Sequence, residues 1–384
     1  MNNIKINILS PGRFHVLDLA RELNQNGFDV KFYSYVPRKR AKKFGMDPKC
    51  VVSFFWMLFP FLALEHYTKH AKWAVNLRRW TLDSLCLLFM RRCDIIISMS
   101  GEFNRSNRKV KRLGGYVIIE RGSKHILEQK RILESIPSQK GKIVINQSNI
   151  DREVSDYNIA DYISIAAQHV KDSFIKYGFP EEKLFVNPYG VELSMFKPLP
   201  TINKEYDVIM VGTWCYRKGC DMLIEAIKKT NLHLIHVGGI LDIPFPTHPQ
   251  FTHVDKVDQT ELINYYNKSR VFVLPSREEG MALVQAQAVS CNLPIVGSPD
   301  SGAADIKKYI NDSEYVSIVD PLTVDNIVEA LNNAIEQSRK LFYKELYAGN
   351  GLQNLTWDAY GSRYANFLNN NVVRRVLGGV NLTS

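Results

Sequence analysis

Short hydrophobic runs alternate along the chain with longer stretches in which apolar residues recur every three or four positions. The runs of the first half include IKINILS, FDVKFYSYV, DIIISMS, YVIIE, DYISIA and KLFVNPYG. In the second half the alternation restarts with YDVIMVG and continues through LHLIHVGG, RVFVLPS and LPIVGS. Each run leads into a helical or loop pattern, such as FHVLDLARELNQNG after the first. The alternation predicts an α/β protein with parallel sheets built from crossover units.

A stretch without periodicity separates the two halves. Residues 188–204, PYGVELSMFKPLPTINK, are rich in proline and predict a linker. Two α/β halves joined by a linker predict a cleft between them, where ligands bind at the carboxyl ends of strands. The composition supports a folded protein, because 45% hydrophobic and 23% charged residues are ordinary for one.

The cysteines and the N-terminus indicate the compartment. The six cysteines, at positions 50, 86, 93, 215, 220 and 291, form no Cys-x-x-Cys pair, so we expect reduced and mostly buried thiols. The sequence MNNIKINILSPGR lacks the long apolar core of a secretory signal and predicts a first β-strand instead. We therefore expect a cytoplasmic protein.

The positive charge of the chain is concentrated in its first half. Residues 1–200 carry 32 Lys and Arg against 19 Asp and Glu, whereas the remainder carries 17 against 20. This imbalance predicts an anionic partner, and a phosphorylated ligand or membrane surface fits better than nucleic acid, since no nucleic-acid-binding motif is present. The densest basic run is Arg38–Lys43, and a charge-free stretch, VVSFFWMLFPFLAL (51–64), follows closely.

Residues 51–64 allow two interpretations. The stretch is shorter than the roughly 20 residues that span a bilayer, and Pro60 interrupts it. One interpretation is a buried helix or loop beside a solvated basic segment. The other is an element lying in the plane of a membrane, with its aromatic side chains in the interface and the neighbouring cations on anionic lipid. Their adjacency favours the second.

Three strand-to-helix junctions of the second half have candidate chemistry. In VGTWCYRKGCDMLIEAI, Arg217 and Lys218 stand beside the amides of a helix start, which favours an anion site, although two solvated loop cations remain the alternative. In SPDSGAADI, Ser301 and Gly302 precede another helix. In PSREEGMAL, Glu279 can accept hydrogen bonds from hydroxyls. Two phosphate-type sites and one hydroxyl-type site indicate a sugar carried on a diphosphate.

These segments resemble the family-4 retaining glycosyltransferases of the GT-B fold (glycosyl transferases group 1). The resemblance rests on VGTWCYRKG, PSREEGMALVQAQAVSCNLPIVGS, VNPYGVELSMFKP and TWDAYGSRYANFL, and covers most of residues 157–368. It implies two Rossmann-like domains facing across a cleft. We expect an acceptor-binding domain at 1–190, joined by a last helix at about 356–384, and a nucleotide-sugar-binding domain at 191–355.

The resemblance also assigns donor-site roles. Lys218 matches the cation that neutralises the donor diphosphate, with Arg217 beside it, but Thr213 stands where the family has an arginine directly after VG. Glu279 matches the acid that contacts the hydroxyls of the donor sugar. Gln287 stands where the family often has a second Glu that holds the nucleotide ribose. The backbone amides expected to contact the sugar or distal phosphate belong to Gly280, Met281, Ala282 (a departure from the usual glycine) and Leu283.

The first half supplies the expected acceptor side. In IIERGSKHI, His125 is our candidate for the catalytic histidine that the resemblance implies near donor and acceptor, although a lone histidine is more often structural. The residues expected to bind the acceptor lie in this loop and in SPGRFH, the turn after the first strand: Gly12, Arg13, His15, Arg121, Gly122 and Ser123.

The reaction that the resemblance implies is retaining transfer of a sugar from a nucleotide diphosphate sugar to an acceptor hydroxyl, with no metal or other cofactor. The basic, aromatic first half favours a lipid-linked acceptor, as in O-antigen or capsule assembly, and a peripheral location on the inner face of the cytoplasmic membrane. A sugar-nucleotide epimerase or hydrolase of the same architecture would convert donor without acceptor. A non-catalytic partner protein would bind donor without turnover.

Overall fold

The computed structural model describes residues 4–139, 145–310, 313–341, 351–374 and 376. The extreme ends of the predicted first strand (1–3) and last helix (beyond 376) lie outside these residues. Within them, a first sheet of seven parallel strands has the order β3-β2-β1-β4-β5-β6-β7. Its strands are β1 (Lys5–Leu9), β2 (Asp29–Ser34), β3 (Val51–Ser53), β4 (Ile95–Met99), β5 (Tyr116–Arg121), β6 (Tyr162–Ile165) and β7 (Leu184–Val186).

A second parallel sheet follows, and across the described residues it contains six strands in the order β10-β9-β8-β11-β12-β13. Its strands are β8 (Tyr206–Val211), β9 (Leu234–Val237), β10 (Phe251–Val254), β11 (Ser269–Leu274), β12 (Ile295–Gly297) and β13 (Val316–Ile318). The two sheets with their helices are here named the first lobe and the second lobe. The predicted α/β fold of GT-B type, with two parallel Rossmann-like sheets, is confirmed.

Helices connect the strands in both lobes. Those of the first lobe are α1 (Phe14–Gln25), α2 (Arg38–Lys43), α3 (Phe55–Tyr67), α4 (Lys72–Phe89), α5 (Asn104–Arg112), α6 (Ile126–Ser135), α7 (Gln147–Ile159) and α8 (Gln168–Lys176). Those that follow are α9 (Cys220–Lys228), α10 (Gln259–Asn267), α11 (Leu283–Ser290), α12 (Ala303–Lys307), α13 (Val324–Leu341) and α14 (Trp357–Leu368).

The central strands are buried on both faces, which explains their continuous apolar sequences. Ile6 and Ile8 of β1, Ile95–Ile97 of β4 and Val208–Ile209 of β8 have no exposed surface. The strands that the hydrophobic pattern did not predict, β3, β10 and β13, lie at sheet edges or are only three or four residues long. An edge strand contacts only one neighbour, so its sequence needs less continuous hydrophobicity.

The predicted linker contains no helix or strand between residues 188 and 204, all of which the structure describes. Val191 forms a single bridge with Thr356.

After the second lobe, the chain returns to the first lobe through α14, which packs on α1. There Gly361 lies so close to Glu22 that a Cβ would overlap its side chain. Arg363 donates to the carbonyl of Pro188 at 2.8 Å, and Asn187 donates to the carbonyl of Tyr360 at 3.2 Å. These bonds fasten the last helix to the end of the first lobe.

Helices α3 and α4 of the first lobe pack against each other and expose several large apolar side chains. Arg78 of α4 donates to Glu65 of α3 at 2.6 Å, and residues 68–71 form the turn between the helices. Leu58 is the single fully buried side chain of α3, and Trp56 is 82% exposed. Within residues 51–64 the side chains of Val51, Phe54 and Leu58 are buried, whereas Trp56, Met57 and Phe59 are more than half exposed, so the interpretation as a buried helix holds for only part of the stretch.

Among the helices that the structure describes, none is both long enough and apolar enough to cross a membrane.

Candidate functional site

The carboxyl ends of the strands in the two lobes face each other. Lys124, after β5 of the first lobe, forms a 2.7 Å ion pair with Asp300, after β12 of the second. His169, in the first turn of α8, donates from Nε2 to the carbonyl of Glu279 at 3.0 Å. The Lys124–Asp300 pair joins two of the candidate loops, and both contacts place the candidate site in a cleft between the lobes.

The loop after β8 positions the two candidate cations. Residues Tyr216–Lys218 form a 3₁₀ turn, and Gly219 adopts a left-handed φ of 71° before α9 begins at Cys220. A side chain at Gly219 would overlap the carbonyl of Pro275, so glycine is required there for two reasons. Because the loop lies directly on the Pro275 segment, Lys218 approaches Glu279.

A buried ion-pair cluster forms where these two loops meet. Lys218 Nζ lies 2.6 Å from Glu279 Oε2, and Arg217 donates to Glu279 Oε1 at 3.2 Å. Burial opposes ionisation of Glu279, but the attraction of Lys218 and Arg217 is stronger, so the pKa of Glu279 lies below its ordinary value. Glu279 is therefore an ionised acceptor, and Lys218 is a desolvated cation within reach of an anionic ligand.

Glu278 belongs to the same cluster, although no role was predicted for it. Its side chain is fully buried and accepts hydrogen bonds from the hydroxyl of Ser123 and, at 3.1 Å, from the amide of Gln129. Arg217 donates to its carbonyl at 3.0 Å and lies 3.5 Å from its carboxylate. The only sequence signal for Glu278 is that it is the first of the two adjacent acids in PSREEG.

The helix-junction segments of the second lobe pack against each other. The amide of Ala282 donates to the carbonyl of Ser301 at 3.4 Å, and Gln285 donates to the same carbonyl at 2.8 Å. Gly302 has a left-handed φ of 83° and approaches the backbone of Met281. The predicted Gly280–Leu283 and Ser301–Gly302 segments therefore form one continuous wall, within which the Ala282 amide is already bonded internally.

Of two other predicted donor-site residues, one is exposed and one is buried. Thr213 is exposed in the loop after β8. Gln287 is 7% exposed on α11, and its Oε1 accepts a hydrogen bond from the hydroxyl of Tyr266 at 3.1 Å. The oxygen of Gln287 is thus engaged within the lobe, and its contact with a ribose stays a prediction.

His15 and Arg13 follow β1 at the first-lobe side of the cleft. His15 is buried, and its Nε2 lies 2.9 Å from Oε2 of Glu120. Its ring is tilted by 32° against that of Tyr189, with the ring centroids 4.3 Å apart. Glu120, which was not predicted as a site residue, also accepts from the hydroxyl of Tyr364 at 2.7 Å. Arg13, next to Gly12, lies over the ring of Phe44 at 3.5 Å.

Arg121 shapes the loop that carries the remaining first-lobe candidates. It donates to the carbonyl of Lys124 at 2.9 and 3.1 Å, and to Glu153 at 3.1 Å. These bonds close the turn in which Gly122 and Ser123 are presented to the second lobe. Arg121 therefore acts on the cleft through the loop conformation.

His125 caps the N-terminus of α6. Its Nδ1 accepts from the amide of Leu127 at 3.3 Å, and its ring stacks on Tyr177 at 4.7 Å beside Phe174. Burial and the charge of Arg121 lower the pKa of His125 to about 4, so the ring is neutral. Among the described residues its ring partners all lie in the first lobe, and its catalytic role stays a prediction.

Two Rossmann-like lobes, facing each other through the carboxyl ends of their strands, define the GT-B architecture, and solved structures support this assignment. Sucrose-phosphate synthase from Thermosynechococcus elongatus matches with a TM-score of 0.64 at 14% identity, over 98% of this chain and all of that one. HepE from Anabaena, solved in complex with UDP and glucose, matches with a TM-score of 0.61 at 15% identity, over 96% of this chain and all of that one.

Residues 205–337 match the family model of glycosyl transferases group 1. One similar protein is the GDP-mannose-dependent alpha-(1-6)-phosphatidylinositol monomannoside mannosyltransferase of Mycolicibacterium smegmatis, which is 25% identical over 244 residues. The alignment covers 55% of this chain and 63% of the relative, less than two thirds of its length. The chain therefore has the GT-B fold, and its residues 205–337 are similar to glycosyl transferases group 1.

Proposed function

We propose that this protein is a retaining glycosyltransferase that moves a sugar from a nucleotide diphosphate sugar to an acceptor hydroxyl. The observation that carries the proposal is the Lys218–Glu279 pair at 2.6 Å, at the mouth of the cleft between two GT-B lobes. Lys218 is suited to a diphosphate and Glu279 to sugar hydroxyls, so adjacent groups recognise the two ends of the donor.

In the proposed reaction the bond from the anomeric carbon to the diphosphate oxygen breaks, and a bond from that carbon to the acceptor oxygen forms on the same face. Negative charge develops on the departing diphosphate oxygen as its bond breaks, and that oxygen takes the proton that the acceptor hydroxyl loses. Lys218 and Arg217 stabilise that charge in a site with little water. Because two cations are already placed there, we expect transfer to proceed without a metal ion.

We propose further that the acceptor is a lipid-linked or membrane-associated glycan of surface polysaccharide assembly, used at the inner face of the cytoplasmic membrane. The α3–α4 pair supports this proposal through its exposed tryptophans, since Trp56, Trp73 and Trp80 are 82%, 57% and 58% exposed. The cations of α2 (Arg38–Lys43) precede the pair in the same lobe. Exposed tryptophans beside cations suit an anionic lipid interface. The name of the mycobacterial relative also specifies a lipid acceptor for that protein.

The donor is tested by thermal unfolding with UDP, GDP, ADP and CMP, each with and without a chelator. One nucleoside diphosphate at about 100 times its Kd should add roughly 2.7 kcal/mol to the free energy of unfolding. The matching sugar nucleotide should then be consumed only with a membrane extract, giving a product of retained anomeric configuration by NMR. Donor conversion without acceptor would favour an epimerase or hydrolase, and binding without turnover a non-catalytic partner. No stabilisation would contradict the proposal.

The membrane surface is tested with the variant Trp56→Ser/Trp73→Ser/Trp80→Ser. Its loss of exposed aromatic area should reduce sedimentation with phosphatidylglycerol-containing vesicles by about tenfold or more, since interfacial binding scales with buried apolar area. Leu113→Ser is the control, because Leu113 is 56% exposed and lies at the end of α5, outside both α3 and α4. Equal sedimentation of wild type and the triple variant would contradict this surface.

A further inference from the structure

Glu278 forms the centre of a polar cluster that connects the two lobes. Its Oε1 accepts from the hydroxyl of Ser123 and from the amide of Lys124 at 3.3 Å, and its Oε2 accepts from Gln129 at 3.1 Å. All three donors belong to the first lobe. From the second lobe, Arg217 approaches the same carboxylate at 3.5 Å. A single buried carboxylate therefore bonds to both walls of the cleft.

The neighbouring acid, Glu279, has a different environment. The Glu279 side chain keeps 16% of its surface exposed, whereas the side chain of Glu278 is fully buried. The carboxylate of Glu279 contacts Lys218 and Arg217, which are both in its own lobe. A diphosphate arriving at Lys218 can displace the carboxylate of Glu279, but displacing Glu278 would leave its first-lobe donors without their acceptor.

We propose that the two adjacent acids divide their tasks, and that Glu278 is a positioning residue that fastens the Arg217 loop to the first lobe. When the donor binds, Glu279 releases Lys218 to the diphosphate and itself binds the donor. The inference rests on the proposed glycosyltransferase function and deepens it, since it names the group that keeps the two lobes in register during transfer.

A connected series of bonds explains how Glu278 could act at a distance. Arg121 donates to Gln129 Oε1 at 2.9 Å, Gln129 donates to Glu278, and Glu278 receives Arg217. The first-lobe turn and the donor loop are thereby held at one separation. If this link loosens, the acceptor is misplaced and water enters the cleft, while the donor cations stay in the second lobe.

The test compares wild type with Glu278→Gln, Ser123→Ala and the double variant. In Glu278→Gln one acceptor oxygen becomes an amide donor, which opposes Gln129 or Ser123. We expect kcat for transfer to fall by about ten- to a hundredfold, the effect of a small misplacement of reacting groups. The Kd of the nucleoside diphosphate should change less than about threefold, because that ligand binds the second lobe. The ratio of donor hydrolysis to transfer should rise.

The double variant separates positioning from general support of the fold. If Ser123 acts through Glu278, the kcat loss of the double variant should equal the larger single loss, and the two shifts in melting temperature should not add. Glu205→Gln is the matched control, since Glu205 is 48% exposed and paired only with Lys268 among the described residues. Should Glu278→Gln fail to fold, Ser123→Ala and Gln129→Ala test the same link.

Two results would overturn the inference while leaving the proposed function intact: wild-type kcat and hydrolysis ratio in Glu278→Gln, or multiplicative losses in the double variant. Failure of the proposed function is distinguishable, because wild type itself would then neither bind a nucleoside diphosphate nor transfer. The melting-temperature cycle would still report whether Ser123 and Glu278 are coupled, and additive shifts would overturn the link in that case as well.

Discussion

Replacing Lys218 with alanine is expected to lower kcat/KM for transfer by about three orders of magnitude, because removal of one group that stabilises developing charge costs 10²–10³-fold. Lys218 is 8% exposed, so its charge acts in a poorly solvated site where the leaving diphosphate has few other partners. The variant should also lose most of the stabilisation that a nucleoside diphosphate gives to wild type. Donor consumption and thermal unfolding measure the two effects.

The fold of Lys218→Ala should survive, because Glu279 keeps Arg217 as a partner at 3.2 Å. Lys228→Ala is the control, since Lys228 is an exposed residue in the last turn of α9, the helix that follows the Lys218 turn. Near-normal transfer by Lys218→Ala would remove the phosphate role from this residue. Equal losses in both variants would show that the assay reports helix stability.

The sheets were predictable from the chain because parallel strands are buried on both faces. A run such as IIIS at Ile95–Ser98 is predicted to lie in the core, and in the structure none of these four residues has exposed surface. The edge strand β3 (Val51–Ser53) was hidden at the start of a longer apolar run. Hydrophobicity alone does not distinguish a buried helix from one with exposed apolar side chains, so the burial of α3 could be decided only once its neighbours were known.

The second-lobe side of the candidate site could also be predicted, because its residues follow neighbouring strands. Lys218 and Glu279 are 61 positions apart, yet β8 and β11 are paired, so their carboxyl ends bring the two loops together. Contacts between lobes leave no such signal in a single sequence. The bonds of Ser123 and Gln129 to Glu278, and of His169 to Glu279, depend on how the lobes meet.

The histidines show a related limit. His15 and His125 both follow first-lobe strands, and spacing does not reveal which ring faces the cleft. The structure pairs His15 with Glu120 at 2.9 Å and places His125 among aromatic rings. Each outcome depends on partners from distant elements, such as Tyr177 of the α8 end for His125, which periodicity cannot identify.

Adding one methyl group at Gly280 is expected to lower transfer by about a hundredfold, because misplacing reacting groups by roughly 1 Å has that cost. Gly280 has no left-handed φ, so space is limiting: its Cβ would overlap the backbone carbonyl of Gly122 in the first lobe. Backbone atoms cannot rotate away, so Gly280→Ala should force the lobes apart while each lobe stays folded. The stabilisation that a nucleoside diphosphate gives to the protein should therefore persist when transfer is lost.

Gly239→Ala is the control, since its Cβ would meet no atom within 4 Å. Wild-type transfer by Gly280→Ala would contradict the contact between the lobes.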